Sequence, residues 1–537
     1  PSMSLLPFLA VASLGTVIVT VLRDRRWLGT LAAIAAILVA LGAAVVVRPD
    51  APLGIGSGAL AGSDRLRVVL VLCLASGLLV LIVARLATWQ PSAPGALLGG
   101  AAGIGLALGL AGTPPALLGA AAATVAASAL ALGSPAAPSR IRALARELRG
   151  ATTSVVIGLV AAGIVPGTAG VVPGPAAATG AGPVPAEPAA AALVLLGMAL
   201  VLAHRFGAIP LHARVSRLAD ATPSSALPIL AAWLPAAWGI VILGWAPAAL
   251  GPSSEALGLE QALIVTLALM TLLLGAVAAL IQDEVDHVVA YTIVADAGIA
   301  LLALAALDPA ARDAARAWVL VFATTRTALI GWTIAFRAAF GTGRLRDAAG
   351  WLRRAPSLGV ALAAILLAVV GWPGLLAWDA RLAILQSATA GPALLLAYAG
   401  SLGTGVAICR LLVVGAGRPS AIVAGAVGEL PRLPGRPSGA TSGPATPASP
   451  GTAAAGSSSA RARAAASSLP GRLRGLAATI GRDTRPALEL NRVPLRAFVV
   501  ILLAGLALLT AVGAFGIDAA ARAAGPALPS LRPLVGG

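Results

Sequence analysis

One hydrophobic stretch in the middle of the chain is interrupted by residues that can carry charge or transfer protons. An apolar helix of about one bilayer thickness runs into His204 and Arg205, and Pro210 and His212 follow within one short polar turn. Proline breaks the helical ladder, and the freed carbonyls are tolerated at membrane depth only inside protein or beside water. An ionisable pair beside such a break predicts a functional site. The alternative is a helix that simply ends, with Arg205 reaching the membrane interface.

The composition is that of a polytopic helical membrane protein. Of 537 residues, 59% are hydrophobic and 11% are charged, whereas soluble domains carry about 25% charged residues. All 37 basic residues are Arg, and the bias toward Ala, Gly, Pro and Arg reflects a GC-rich coding sequence, so the basic net charge does not indicate a nucleic-acid partner. Cys73 and Cys409 lie in apolar stretches and form no disulfide or metal pattern. No nucleotide-binding loop or soluble catalytic constellation is present, which excludes an independent enzyme domain.

Fourteen apolar segments are long enough to cross a bilayer. They cover residues 3–22, 27–47, 67–87, 95–112, 115–133, 152–172, 189–209, 224–250, 259–281, 287–307, 314–340, 356–387, 391–416 and 496–521. The predicted fold is an all-α polytopic membrane protein with about 14 transmembrane helices. Two of them, the seventh and the twelfth, are predicted to be broken, at Pro210 and Pro373.

Arginine is unevenly divided between the connections. It is concentrated after the first, fifth, seventh, eleventh and thirteenth segments, whereas connections 173–188 and 246–258 carry none. Because basic residues are retained on the cytoplasmic side, this bias predicts cytoplasmic odd-numbered connections. The protein is then a multi-pass protein of a bacterial inner (cytoplasmic) membrane with both termini on the outer side. Arg48, Arg65 and Arg312 run against the pattern.

Three segments resemble motifs of the antiporter-like, proton-translocating membrane subunits of respiratory complex I, especially the N type. Residues 205–212, RFGAIPLH, resemble Lys-x4-Pro-Phe-His. Residues 282–298, QDEVDHVVAYTIVADAG, resemble Gln-x-Asp-x-Lys-Arg-x-x-Ala-Tyr-Ser-Ser-Ile-x-His-x-Gly, and residues 371–382, GWPGLLAWDARL, resemble Gly-x-Pro-Pro-x-x-Gly-Phe-x-x-Lys-Phe. They occur in the family's order, and the same motifs are found in cation/proton antiporters and membrane-bound hydrogenases.

Composition, hydropathy and the resemblance together predict four regions. Residues 1–133 are N-terminal membrane helices, 134–417 an antiporter-like core, 418–493 a cytoplasmic linker, and 494–537 a C-terminal membrane helix and tail. The linker is rich in Pro, Gly, Ser and Ala and cannot bury enough apolar area to fold alone. It is a disordered spacer, or it carries a short basic helix near 460–482 that touches anionic lipid or a neighbouring subunit.

The resemblance also implies a mechanism and a set of partners. In the family, protons move along ionisable groups at the membrane centre: a Glu on the fifth helix, Lys on the seventh and eighth, a His on the tenth, and Lys or Glu on the twelfth. The subunit itself holds no cofactor, and quinone, flavin and iron–sulfur clusters belong to partner subunits. The expected partners are other membrane subunits, the lipid bilayer, and protons or small cations.

This chain departs from that pattern at the titrating positions. Arg205 and Arg381 stand at the seventh- and twelfth-helix lysine positions, Trp233 at the eighth-helix lysine, and Asp296 at the tenth-helix histidine. The fifth helix has no Glu. Arginine stays protonated in proteins at neutral pH, because its pKa lies far above neutrality. Arg205 and Arg381 can therefore act as fixed charges but not as proton shuttles.

The remaining ionisable residues allow two interpretations each. Asp296 is either a titratable node or half of a buried ion pair with Arg326 or Arg381. Asp379 lies two residues before Arg381, so their side chains are predicted to point to different neighbours. His204 and His212 border the first break; His212 mediates proton entry or satisfies freed carbonyls.

These patterns leave three hypotheses about function. The first is a proton-translocating membrane-arm subunit of a complex I-type NADH-quinone oxidoreductase. The second is a subunit of that complex whose conduction is weak or lost and which mainly bridges its neighbours. The third is a subunit of a cation/proton antiporter, a membrane-bound hydrogenase or an inorganic-carbon transport complex.

Overall fold

The computed structural model describes residues 5–49, 53–55, 58–87, 90–133, 138–164, 187–371, 373 and 376–419. Within these ranges the chain forms fifteen α-helices, α1 Leu5–Leu22, α2 Arg26–Val46, α3 Asp64–Ala87, α4 Ala93–Gly109, α5 Thr113–Leu132, α6 Pro138–Ile164, α7 Pro188–Phe206, α8 Ala213–Ala221, α9 Leu234–Leu250, α10 Gly258–Ile281, α11 Val285–Ala305, α12 Pro309–Phe340, α13 Pro356–Val370, α14 Leu376–Ala388 and α15 Gly391–Ala416.

The prediction of an all-α polytopic membrane protein is confirmed. Eleven spans in the described part of the chain are long and apolar enough to cross a membrane, and Ala93–Gly109 and Pro356–Val370 are shorter apolar helices. The fourteenth predicted segment and almost all of the 418–493 linker lie outside the described residues.

Helices α11 and α12 form the centre of the bundle. Their side chains are buried almost throughout, because α11 packs against α7, α10, α12 and α14, and α12 packs against α3, α9, α13 and α14. Helices α1, α2, α6 and α10 are peripheral and expose large apolar side chains such as Leu31, Val160 and Leu263. A bilayer is the solvent that suits such an apolar outer surface.

Helix α6 begins earlier than the sequence predicted. The arginine-rich stretch 140–149, expected to be a cytoplasmic connection, is the first part of this helix. Ala, Leu, Arg and Glu, which favour helix, dominate the stretch. Ala143, Glu147 and Gly150 are buried at helical spacing. The correction matters because it places Glu147 inside the bundle.

A small antiparallel sheet was not predicted. Strands β1 Leu53–Ile55, β2 Gly58–Leu60 and β3 Leu110–Ala111 pair in that order. They are too short to show a two-residue hydrophobic alternation in sequence. Through the pairing of β2 with β3, the sheet joins the connection after α2 to the end of α4.

Helix α7 ends at Phe206 because Gly207 adopts a left-handed conformation, with φ of 78°. The N–H groups of Gly207 and Ala208 both donate to the carbonyl of Ala203, which is a common way to close a helix. A side chain at position 207 would meet Val215 at 2.6 Å. Pro210 lies in the non-helical turn before α8.

Helix α13 also ends at a glycine with a positive φ, Gly371, whose φ is 79°. Its N–H donates to the carbonyl of Leu367 at 3.0 Å. Pro373 follows, and α14 starts at Leu376.

When the connections are numbered by the fourteen predicted segments that they follow, odd-numbered connections contact one another, and so do even-numbered ones. On one face, Asp220 after α7 bonds to His287 at the start of α11, and Gln90 after α3 accepts a hydrogen bond from Ser225. On the other face, β2 pairs with β3, and Ser387 donates to Asp308. The face with Asp220 also holds the Arg337–Arg346 segment and is called the odd face below.

Candidate functional site

The end of α7, called the first break below, carries a buried ion cluster formed by Glu147, Arg205 and Arg214, which we call the first-break cluster. Arg214 Nη2 lies 2.8 Å from Glu147 Oε2, and Arg205 Nη2 lies 3.7 Å from the same oxygen. The side chain of Arg205 is fully buried and that of Glu147 is 5% exposed. One carboxylate is therefore shared by two guanidinium groups, and the cluster keeps one net positive charge.

Two further groups hold the guanidinium of Arg205. Its Nη2 donates to Thr124 Oγ1 at 3.4 Å, and Trp238 Nε1 donates to the same hydroxyl at 3.1 Å. The Arg205 Cζ atom lies 5.5 Å from the centre of the Trp238 ring, within range of a cation–π interaction. Helices α5, α6, α7 and α9 thus all contribute to the position of this one charge.

His204 lies beside the first-break cluster and faces α6. Its Nδ1 and Ser154 Oγ are 3.0 Å apart and share a hydrogen bond. A side chain at Gly150 would meet the imidazole at 2.6 Å, so the absence of a side chain there lets α6 approach α7 closely. His204 is packed rather than free to swing.

The end of α13, called the second break below, carries a similar cluster, the second-break cluster, formed by Asp296, Arg326 and Arg381. Arg326 Nε donates to Asp296 Oδ2 at 2.6 Å, and its Nη2 pairs with the same oxygen. Arg381 Nη2 lies 3.8 Å from Asp296 Oδ1. Thr292 accepts a hydrogen bond from Arg326 Nη1 at 3.1 Å. The two partners suggested by the sequence thus flank Asp296, again with one net positive charge.

In both clusters an arginine also satisfies a carbonyl next to the break. Arg214 Nη1 donates to the carbonyl of Arg205 at 2.6 Å, and Arg381 Nη1 donates to the carbonyl of Val370 at 3.1 Å. Carbonyls at the end of a helix have no intrahelical partner. These bonds give the arginines a structural task that does not depend on proton transfer.

His212 and Asp379 lie outside both clusters. His212 is half-buried, its ring centre 6.4 Å from that of Tyr291. Asp379 is half-buried near the start of α14, and no ion pair links it to another described residue. The structure therefore does not bring these two residues to the buried charges.

The region around α9 separates the clusters with apolar and aromatic side chains. Residues 221–254 hold no ionisable side chain. Trp233 is buried and ends a short π-helical turn, Ile229–Trp233. Pro235 explains the turn because it cannot donate to the carbonyl of Ala231. Nearby, Phe206 of α7 packs on Trp318 and Phe322 of α12.

Glu147 is the site residue that sequence reasoning missed. The fifth predicted helix contains no carboxylate, and Glu147 lies in an arginine-rich stretch that the sequence predicts to be a cytoplasmic connection. A signal was present: Ala143, Glu147, Gly150 and Ser154 recur every three or four residues, which places one acid on a face of small residues. In the described residues no group of His, Cys, Asp and Glu could hold a metal ion.

Comparison with known proteins matches residues 184–407 to the family described as "NADH:quinone oxidoreductase/Mrp antiporter, TM". A stretch of 200 residues is 26% identical to the NADH-quinone oxidoreductase subunit N of Laribacter hongkongensis, covering 36% of this chain and 40% of the relative. The match therefore spans well under two thirds of that relative's length.

Two solved structures share the fold. A chain of respiratory complex I from Thermus thermophilus with bound aureothin has a TM-score of 0.59 at 20% identity, over 77% of this chain and 90% of that one. A chain of the Mrp complex from Dietzia has a TM-score of 0.64 at 18% identity, over 78% and 81%. The resemblance inferred from three motifs is thus confirmed: residues 184–407 match the NADH:quinone oxidoreductase/Mrp antiporter family, and the fold is that of chains in complex I and the Mrp complex.

Proposed function

We propose that this chain is a membrane-arm subunit of a complex I-type NADH-quinone oxidoreductase in which proton conduction is weak or absent. Its main role is to complete the membrane arm. The observation that carries the proposal is the chemistry at the three positions that match the family's lysines. They hold Arg205, Trp233 and Arg381.

Fixed positive charge at both breaks opposes a passing proton. A unit charge about 4 Å away, at an effective dielectric of about 20, repels a proton by about 4 kcal/mol. Glu147 and Asp296 offset part of this repulsion, but each also serves a second arginine. The net charge that remains at each break works against conduction.

Trp233 stands where the family has a lysine, so the region between the breaks lacks a group that can accept and release a proton. An indole N–H donates a hydrogen bond but does not take up a proton. Trp233 Nε1 is buried and has no hydrogen-bond partner among the described residues. A proton relay needs groups that gain and lose a proton near neutral pH, and α9 offers none.

A second candidate is a subunit of a cation/proton antiporter. The fold shared with the Dietzia Mrp complex supports the antiporter proposal as much as the fold shared with complex I supports the complex I proposal. Purification of the chain from native membranes, with identification of the subunits that accompany it, separates the two. Subunits with flavin or iron–sulfur clusters support the first proposal, and a complex made only of antiporter-type membrane subunits contradicts it.

We also propose that the odd face is cytoplasmic, which puts residues 418–493 inside. The Arg-rich connections after α7 and α12 both lie on this face, which supports the orientation. Cysteines introduced at Thr342 and Ser442 are expected to resist an impermeant reagent added from outside, and a cysteine at Glu255 is expected to react. Because Cys409 is exposed, the background for labelling carries Cys409→Ser. Reaction at Ser442 with protection at Glu255 would reverse the orientation.

A further inference from the structure

A cavity of about 590 Å³ opens between α6, α7 and α8 on the odd face. Four arginines, Arg146, Arg149, Arg214 and Arg217, form a basic wall of this cavity. Aliphatic side chains, including those of Ile157 and Leu200, line another part of it.

The basic wall is not neutralised by the described part of the protein. Arg214 shares Glu147 with Arg205, whereas Arg146, Arg149 and Arg217 have no carboxylate partner among the described residues. All three are exposed. Because one carboxylate faces four guanidinium groups, the cavity carries a strong positive potential.

Arginines elsewhere on the odd face are paired differently. Arg346 and Arg410 both reach Asp283, at 3.2 and 3.4 Å, and Arg344 reaches Glu284 at 3.9 Å. These arginines have carboxylate partners of a kind that Arg146, Arg149 and Arg217 lack among the described residues.

The cavity lies where a lipid-facing surface meets a basic one. Along α6 the arginines end at Arg149. Exposed Thr152 and Thr153 follow, and the next outward positions are apolar: Val156 is 52% exposed and Val160 is 59% exposed. The neighbouring face of α7 is also apolar and open, with Leu193 62% exposed. Above, the amphipathic helix α8 buries Val215 and Leu218 and contributes Arg214 and Arg217.

We propose that this cavity binds the phosphate headgroup of an anionic phospholipid, whose acyl chains lie along the outer surface of α6 and α7. Guanidinium groups bind phosphate oxygens through paired, charge-assisted hydrogen bonds. Basic pockets between transmembrane helices on the cytoplasmic side suit such headgroups. The proposal is independent of proton conduction, because it rests only on the cavity, its charge and the apolar surface below it.

Native mass spectrometry of the full chain in detergent, titrated with phosphatidylglycerol, tests the proposal. Each arginine near an anionic headgroup strengthens binding by about fivefold, so Arg146→Gln/Arg149→Gln/Arg217→Gln is expected to weaken it by about 100-fold. The matched control removes three arginines elsewhere, as Arg344→Gln/Arg346→Gln/Arg353→Gln, and is expected to bind as the wild type does. Ala213→Trp keeps every charge but places an indole ring in the cavity, and it is expected to weaken binding, which the control triple variant does not.

Equal losses in the two triple variants would show that the lipid responds only to overall charge and would overturn the site. Unchanged binding by Ala213→Trp would also overturn it. Phosphatidylcholine is expected not to bind, and equal affinity for it would remove the role of the arginines. Inorganic phosphate that displaces the lipid at equal concentration would reassign the cavity to a free anion.

A photoreactive cross-linker attached at Thr153→Cys in native membranes is expected to capture lipid. Capture of a protein subunit instead would contradict the proposal.

Discussion

The two helix breaks use the same components in different surroundings. Each has one carboxylate between two arginines, and in each an arginine bonds a carbonyl beside the break. At the second break the carboxylate, Asp296, comes from the middle of the buried helix α11. At the first break it comes from Glu147 on the peripheral helix α6, beside a cavity that opens to the surface.

The two breaks have the same net charge, but their carboxylates differ in how closely protein encloses them. Asp296 is enclosed by protein, so its two arginines are its only ionic partners among the described residues. Glu147 lines a cavity that opens to the surface, so water can solvate its partner Arg214 when the carboxylate is lost. Buried ion pairs are costly to break from one side, because the remaining charge is left in a medium of low dielectric. The two breaks should therefore differ in how strongly they resist loss of the acid.

The largest effect is expected from Asp296→Asn. It leaves Arg326 and Arg381 without a carboxylate in a fully enclosed site, which should lower stability by about 3–5 kcal/mol. Thermal unfolding of the purified chain in detergent measures the loss. The matched control is Asp286→Asn on the same helix, whose exposed pair with Arg337 should contribute less than about 1 kcal/mol.

A second variant separates charge from packing. If Asp296→Asn is destabilising because it strands a charge, Asp296→Asn/Arg326→Met should recover part of the loss, since an apolar replacement of a buried pair is often tolerated. Equal melting of Asp296→Asn and Asp286→Asn would show that the second-break cluster does not stabilise the bundle.

A smaller effect is expected from Glu147→Gln, about 2 kcal/mol, because the cavity lets water reach Arg214 after the carboxylate is lost. The same melting experiment applies, with Glu255→Gln on the opposite face as a control that should leave stability unchanged. A loss as large as that of Asp296→Asn would contradict the proposed difference between the two breaks.

The smallest effect is expected from Thr124→Val. Its hydroxyl accepts from both Arg205 and Trp238, and leaving these donors unpaired should cost about 1–2 kcal/mol. Thr152→Val is the matched control, because that exposed hydroxyl donates only to the carbonyl of Leu148. If both variants melt alike, Thr124 does not position Arg205.

The sequence predicted the buried charges better where the chain is apolar. Asp296, between Ala295 and Ala297, stands out in a hydrophobic helix, and its two arginine partners were foreseen. Glu147 does not stand out, because Arg146 and Arg149 lie close to it in sequence and such a density of charged residues favours a loop between membrane helices. Helical periodicity through that stretch carried the correct information. The short β-strands and the π-helical turn depend on tertiary packing and on Pro235, so length and hydropathy did not reveal them.

The measurement that tests weak or absent conduction most directly is the number of protons pumped per electron by the reconstituted complex. Wild type is compared with Asp296→Ala/His212→Ala and, since the first variant is expected to be unstable, with Glu147→Gln/His212→Ala. Subunit content and NADH oxidation serve as controls for assembly. The ratio of protons to electrons is expected to be the same in every complex that assembles normally. A lower ratio in either variant, with normal assembly and oxidation rate, would show that this subunit pumps protons and would contradict a mainly structural role.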